Sequence, residues 1–273
     1  MPLNALIFDV DGTLAETEEA HRQSFNEAFA AFGLGWNWDK ELYRRLLQIT
    51  GGKERLLHYI DEWNPPGSET ARSRFAEIYE EASTRYAALV DSGRAPARPG
   101  VRRLIREAYG RSVRLAIATT SLQDSVLALL RTILGEEGPA MFAAIAAGDA
   151  VANKKPAPDV YLLALEMLRC GPDSCVAIED SANGVRAARA ARLPVIACPS
   201  SYLRGDDFSL ADSVLTGLGE PDNPCRQIAG LGFEKDYVDI DGLNAWLANR
   251  LRAGLTGLAD TDRAGRRAAG RGG

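Results

Sequence analysis

Apolar residues open the chain as a short unbroken run, Leu6-Ile7-Phe8, which stops at Asp9-Val10-Asp11-Gly12-Thr13. A run this short, ended by Asp and Gly turn residues, predicts a buried strand over about residues 4 to 8. The period then changes. Phe25, Phe29 and Phe32 recur at helical spacing, followed by Tyr43, Leu46 and Leu47, by Leu56, Leu57 and Ile60, and by Phe75, Ile78, Tyr79, Ala82 and Tyr86. Each set marks one apolar helix stripe, and Gly51-Gly52 and Asn64-Pro65-Pro66-Gly67 punctuate them. No strand is expected up to about residue 91. Pro96 and Pro99 then cut the freedom of the stretch from Gly93 to Gly100, which reads as a stiff hinge.

Beyond the hinge the pattern alternates between strand and helix. Strands are expected at 113–118, within 140–147, at 176–178 and at 195–197, with helices over 122–134, 156–169 and 182–191. Such alternation predicts right-handed crossovers and a Rossmann-like, mostly parallel α/β sheet. The expected organisation is an α/β core of residues 1–16 and 96–258 with a helical cap domain, 17–95, inserted into it, and a disordered tail, 259–273, rich in Gly, Ala and Arg. Ligands of such sheets bind at the carboxyl ends of the strands. Asp9, Thr119 and Asp180 all fall at or just past such an end.

Composition narrows the class. The 273 residues are 46% hydrophobic and 25% charged, ordinary for a soluble protein with a sizeable core. A net charge of −5 argues against a nucleic-acid partner. No apolar run reaches the roughly 18 residues of a membrane helix, and Met1 is followed almost at once by a strand, leaving no room for a secretory signal. Four cysteines, Cys170, Cys175, Cys198 and Cys225, lack zinc-site pairing, and the only histidines are His21 and His58. A cytoplasmic monomer with reduced cysteines is expected.

Four sequence elements fit one reactive site. Asp9 stands where a carboxylate nucleophile would attack phosphorus, and Asp11 where a carboxylic acid could protonate a leaving alcohol and later activate water. Thr119 or Ser121 can offer a hydroxyl and backbone N–H groups to a phosphate oxygen, and Lys155 can neutralise both nucleophile and phosphoryl group. Glu179-Asp180 ends a strand and opens a helix. Taken alone, that pair is an ordinary helix cap, and Lys155 beside Lys154 is an ordinary solvated lysine. Two carboxylates about 5 Å apart repel by roughly 3 kcal/mol at an effective dielectric near 20, so four of them with one lysine call for a divalent cation. Mg²⁺ is expected, held by Asp9, the backbone carbonyl of Asp11 and Asp180, with Glu179 direct or through water.

Asp9-Val10-Asp11-Gly12-Thr13, the strand ending at Thr119, Lys155-Pro156 and Glu179-Asp180-Ser181 resemble, in order, the four motifs of the haloacid dehalogenase superfamily, over about residues 4 to 200. The forms Lys155-Pro156-Ala157-Pro158-Asp159 and Glu179-Asp180-Ser181 followed by Gly184 resemble its β-phosphoglucomutase-like branch, which carries a helical cap after the first motif. True dehalogenases lack the second aspartate, so Asp11 implies phosphate rather than halide. Ala15-Glu16-Thr17-Glu18-Glu19, His21, Phe25-Asn26 and Thr50-Gly51-Gly52-Lys53-Glu54-Arg55 are similar to the CbbY-type phosphatases. The resemblance implies a Mg²⁺-dependent sugar-phosphate phosphatase working through an aspartyl phosphate, converting xylulose 1,5-bisphosphate, an inhibitory by-product of Rubisco in the Calvin cycle, to xylulose 5-phosphate. A phosphomutase is the alternative, and a non-catalytic phosphosugar-binding protein a further one. One departure is the second motif, Ala118-Thr119-Thr120-Ser121, where a further hydroxyl residue is expected; Thr119 stands ahead of Ser121 as the phosphate contact.

A bisphosphate needs cations in the cap. Lys53 and Arg55 after the flexible Gly51-Gly52 turn are the first candidates, Lys53 ahead of Arg55, with backbone N–H groups of the glycines beside them. Arg44, Arg72, Arg74 and Arg85 are further ones, each equally readable as a solvated helix face. Thr17 and His21 face the first motif in the resembling mutases; packing of His21 on Trp36 or Trp38 is the structural alternative.

Overall fold

The computed structural model describes residues 2–252. The expected disordered tail lies outside the described residues. Seven strands form one sheet: β1 (Ala5–Phe8), β2 (Arg114–Ala118), β3 (Ala144–Ala146), β4 (Cys175–Glu179), β5 (Val195–Ala197), β6 (Ser213–Leu215) and β7 (Gln227–Gly230). Their order is β3-β2-β1-β4-β5-β6-β7, parallel throughout except that β7 runs antiparallel to β6. The first six follow the doubly wound order 3-2-1-4-5-6, so the direction of winding reverses beside β1. That places the ligand crevice at the carboxyl ends of β1, β2 and β4.

Alternate residues of each strand go to opposite faces. Leu6, Phe8, Leu115, Ile117, Val176 and Ile178 face α6 (Val101–Gly110), α7 (Gln123–Leu134) and a final helix over 240–252. The other face is built largely of alanine, with Ala5, Ala116, Ala118, Ala144, Ala146, Ala177 and Ala197 packed under α8 (Asp159–Leu168) and α9 (Ala182–Ala190). Small side chains let these two helices lie close to the sheet. This brings the segments before them, which carry Lys155 and Asp180, against the end of β1.

Between β1 and α6 the chain is helical. α1 (Glu18–Ala31), α2 (Lys40–Leu46), α3 (Gly52–His58), a single π-helical turn (Tyr59–Trp63), α4 (Ser68–Ser73) and α5 (Phe75–Asp91) surround their own core. Phe25, Phe29, Trp36, Trp38, Tyr43 and Tyr59 meet there as tilted and edge-on aromatic pairs. Leu203, from the loop after β5, joins this core. The two connections to the sheet run side by side. Ala15 bridges Ala97, Arg98 N–H donates to Leu14 O, and Glu16 N–H donates to Pro96 O. The proline-rich hinge is thus one side of a two-stranded ribbon. Arg98, buried within it, donates to the carbonyls of Gly12, Cys198 and Pro199 and tethers the ribbon to the loops after β1 and β5.

The expected strands and helices are present, with trimmed ends. The helix expected from Pro156 starts at Asp159, after Pro158, so Lys155 lies in a loop ahead of it. β6, β7 and the final helix extend the core beyond the elements read from the pattern. Among the described residues no helix is long and apolar enough to cross a membrane.

Trp38 is fully buried at the centre of the cap cluster. Trp38→Ala should lower unfolding free energy by about 3–5 kcal/mol, read as a drop in the urea midpoint; a loss under about 1 kcal/mol would contradict this packing.

Candidate active site

Asp9, Thr119 and the acid pair Glu179-Asp180 are brought to the crevice by the ends of β1, β2 and β4, and Lys155 by the loop ahead of α8. Asp9 follows β1, its N–H bonded to Ile178 O of β4, and its side chain is buried. Lys155 Nζ donates to Asp9 Oδ1 and to Glu179 Oε1, both at 2.6 Å, and is itself buried. Tyr161, on α8, donates its hydroxyl to the same Glu179 oxygen at 2.6 Å, and its ring lies 5.1 Å from the ammonium. The other Glu179 oxygen takes the Asp180 N–H and the Ser181 hydroxyl. Glu179 is therefore fully engaged by protein donors. It orients Lys155, and direct ligation of a metal would have to compete with that.

Asp11 lies two residues on from Asp9, just before the main-chain bend at Gly12 (φ +77°). Its Oδ1 meets His21 Nε2 at 3.1 Å and the Tyr86 hydroxyl at 3.4 Å, and its Oδ2 accepts from the Ser121 hydroxyl. His21 is stacked on Tyr86, ring centroids 3.8 Å apart, and not on Trp36 or Trp38. Thr17 is completely buried at the start of the same cap segment. Thr119, at the end of β2, is buried and accepts the Ser121 N–H on its hydroxyl oxygen at 3.2 Å. Thr119 and Ser121 thus have different places: Thr119 beneath the floor, Ser121 on it against Asp11.

The electrostatics of the cluster are unbalanced. Asp9, Glu179 and Asp180 each bring a carboxylate oxygen within 4.8 Å of the others, all three buried. Burial, opposed by Lys155 and reinforced by Glu179, pushes the Asp9 carboxyl up to about 7. Burial, Asp9 and Glu179 push Asp180 well above the ordinary range. Burial works against the Lys155 ammonium, but Asp9 and Glu179 overcome it and raise its pKa. Asp11 differs. Burial would raise it, yet His21, Ser121 and Thr17 together outweigh that and hold it below the usual carboxylate value.

A cation fits this imbalance. Asp180 Oδ2 is buried with no hydrogen-bond partner, and the space beside it is free only because residue 12 is glycine: a Cβ there would run into that oxygen. Two more acids sit within reach, and oxygen donors of this kind suit a hard divalent ion. The Asp11 side chain is turned to the cap, so its part in such a site would be through the backbone.

Above these groups, a cleft between cap and core has Asp11 and Ser121 on its floor and Gly51, Gly52 and Arg55 on its cap wall. Arg55 is buried, with neutral partners: Leu46 O and the Tyr43 hydroxyl accept from it at 3.3 and 3.1 Å. Lys53, the first-ranked cation of the sequence reading, is not in this wall; its ammonium stands over the Tyr79 ring at 5.4 Å. Arg72, Arg74 and Arg85 pair with Asp61, Glu77 and Glu81 on the outer cap surface, and Arg44 is exposed. Lys53 and Arg55 are placed differently because a helix turn starting at Gly52 carries Arg55 inward and Lys53 aside, over Tyr79. Cap and core also meet where the Asn183 amide donates to Gln48 O and Thr50 Oγ1, both at 3.0 Å, and where Tyr202 donates to Glu19.

Tyr161, Tyr86, Arg98 and Asn183 were not among the residues expected at the site. Tyr86 counted as part of an apolar stripe, and Tyr161 falls in a stretch read only as helix. The weak signal for Tyr161 is its spacing from Lys155, one loop and half a helical turn later.

A buried aspartate held by a lysine at a strand end, a second aspartate facing a capped cleft and an acid pair across from them define a hydrolase built on the doubly wound fold. The sequence profile of the haloacid dehalogenase-like hydrolases matches residues 3–192, and the chain belongs to that family. It is 51% identical over 212 residues to protein CbbY of Rhodobacter capsulatus, covering 78% of this chain and 92% of that one. It is 46% identical over 249 residues to the plasmid-borne protein CbbY of Cupriavidus necator, covering 89% and 96%. Among solved structures, it is similar to an aspartate-to-asparagine variant of CbbY from Rhodobacter sphaeroides in complex with xylulose 1,5-bisphosphate, with a TM-score of 0.72 and 45% identity over 79% of this chain and 94% of that one. The chain is an enzyme, a phosphatase of this hydrolase family.

Asp180→Asn removes one charge from the acid cluster and keeps its shape. Without divalent ions its melting temperature should rise by a few degrees, at ~1 kcal/mol of relieved repulsion. The upward shift that Mg²⁺ gives the parent protein should disappear. Thermal scans with and without Mg²⁺ check both; an unchanged Mg²⁺ shift would remove Asp180 from the metal site.

Proposed function

We propose that the enzyme removes one phosphate from a sugar bisphosphate, converting xylulose 1,5-bisphosphate to xylulose 5-phosphate, with Asp9 as nucleophile and Mg²⁺ as cofactor. Asp9, the backbone carbonyl of Asp11 and Asp180 would hold the ion, with Glu179 behind them. When bound, it supplies positive charge that keeps Asp9 ionised and offsets charge on the phosphoryl oxygens.

The protein's own groups do the rest. Substrate enters between cap and core with its reacting phosphate toward Asp9. Lys155 neutralises the nucleophile and the incoming oxygens, and Thr119 offers its hydroxyl to the phosphoryl group. Asp9 attacks in line, the P–O bond to the sugar breaks, and Asp11 gives the sugar oxygen a proton. Asp11, then ionised, takes a proton from water that attacks the aspartyl phosphate, releasing inorganic phosphate and restoring Asp9.

The observation that carries the bisphosphate reading is Arg55. A guanidinium buried in the cleft wall whose direct partners are neutral, with the Glu18 carboxylate reached only through the Tyr43 hydroxyl, is costly, and an anion opposite the reaction centre offsets that cost. Its place beside Gly51 and Gly52 sets that charge in the cap wall of the cleft.

The test is phosphate release with Mg²⁺ across mono- and bisphosphorylated pentoses and hexoses. Xylulose 1,5-bisphosphate should be preferred, one phosphate should leave per sugar, and no isomerised sugar phosphate should accumulate. A sugar isomer formed without phosphate release would turn the reading to a mutase. Asp9→Asn should abolish turnover; near-parental activity would refute the nucleophile. Arg55→Met should raise KM for the bisphosphate ~10- to 100-fold, by loss of a charge-assisted contact, and leave monophosphates nearly unchanged.

A further inference from the structure

Asp11 is gripped from three elements, and two of the grips come from the cap. Ser121, after β2, holds Oδ2. His21, on α1, reaches Oδ1 with Nε2 at 3.1 Å. Tyr86, on α5, brings its hydroxyl to the same oxygen at 3.4 Å and lays its ring under the imidazole, with planes within 4° of parallel and centroids 3.8 Å apart. Tyr86 is 4% exposed and belongs to the buried core cluster that includes Phe8, Val10, Leu14 and Val90. An imidazole lying flat on a fixed ring cannot rotate about its Cβ–Cγ bond without breaking the stack, so its Nε2 edge stays aimed at the carboxylate. A carboxylate that must meet a leaving oxygen at hydrogen-bond distance gains from such a restraint, because an error of ~1 Å can cost 10²-fold in rate.

We propose that Tyr86 is a positioning residue for the acid step: its ring is the platform that holds His21, and through His21 it sets Asp11 for protonation of the sugar oxygen. The inference rests on the reading of Asp11 as the general acid. It makes seating of the cap and alignment of the acid one event, since α1 and α5 arrive together. The Tyr86 hydroxyl stands 3.4 Å from Asp11 Oδ1, longer than an ordinary O–H···O bond, so in this role it is the ring that acts, through the histidine.

Leaving-group dependence separates positioning from bulk packing. A sugar alkoxide needs the proton, whereas p-nitrophenolate leaves without it. The ratio of kcat/KM for xylulose 1,5-bisphosphate, with glycerol 2-phosphate as a second alkyl ester, to kcat/KM for p-nitrophenyl phosphate therefore reports the acid alone, because kcat/KM ends at phosphoryl transfer. In Tyr86→Leu the ratio should fall at least ~10-fold, within the usual worth of a general acid. Tyr86→Phe, which keeps the ring, should hold it within about threefold of the parent. Tyr86→Met fills the site flexibly and serves where the leucine variant does not fold. Equal losses on both ester types in the Leu or Met variant, or a Phe variant as impaired as either, would overturn the proposal. Asp11→Asn tells the two readings apart: an unchanged ratio there sinks the acid assignment itself, whereas a lowered ratio there with an unchanged one in Tyr86→Leu sinks only the role of Tyr86. With just two histidines in the chain, the His21 ring protons are readily assigned by NMR. They should lie upfield in the parent and Tyr86→Phe and relax toward the free value in Tyr86→Leu; an unmoved resonance would also count against the platform.

Discussion

One ammonium group buried against two carboxylates, with a third carboxylate left over, is the constraint around which this molecule is arranged. Lys155 satisfies Asp9 and Glu179 at 2.6 Å each, while Asp180 keeps an oxygen with no donor. Removing one partner of a buried ion pair costs about 3–5 kcal/mol, so the arrangement is intolerant of change at Lys155 or its two paired carboxylates. It is also incomplete by one positive charge. The same imbalance that pushes Asp9 up to about 7 makes the pocket receptive to a cation and then to phosphate. Stability of the free protein is given up locally to prepare the site, and the alanine-rich face of the sheet is what lets α8 and α9 bring the charged segments so close.

The cleft adds a division of labour. The core owns the nucleophile, its lysine and the acid cluster. The cap contributes Arg55, the glycines, His21 and Tyr86, and so controls which substrate is held and how the second aspartate is presented. Both connections pass through the ribbon at Ala15 and Ala97, and Arg98 ties that ribbon to the Gly12 carbonyl, one residue from the acid. Recognition above and chemistry below are therefore joined at the first catalytic loop.

Much of this is legible in the sequence, for identifiable reasons. β1, β2, β4 and β5 are buried on both faces and show as apolar runs, and Asp9, Thr119 and Asp180 sit at the ends of β1, β2 and β4, where a parallel sheet must bring them together, with Lys155 carried in by the loop ahead of α8. β6 has only three residues and β7 is exposed along its length, so neither has a periodicity to read. Lys53 and Arg55 are two positions apart, and only the start point of a seven-residue helix decides which faces the cleft. Tyr86 and Tyr161 look like core residues in sequence because they are core residues. Their hydroxyls reach Asp11 and Glu179 only through contacts between elements 75 and 18 positions apart, and no local pattern encodes those.

Insertion of the cap directly after β1 has a consequence for how the chain is born. The central strand leaves the ribosome before the rest of the sheet, and its partners β2 and β4 begin more than a hundred positions later, with β1 Ala5 pairing to Arg114 and Cys175. At roughly 5–20 residues per second, Leu6-Ile7-Phe8 waits on the order of ten seconds or more as an unpaired sticky segment. Asp9 and Asp11 flank it during that interval as charged gatekeepers against aggregation. The two aspartates of the mature reaction centre thus guard the nascent strand before there is any pocket for them to serve.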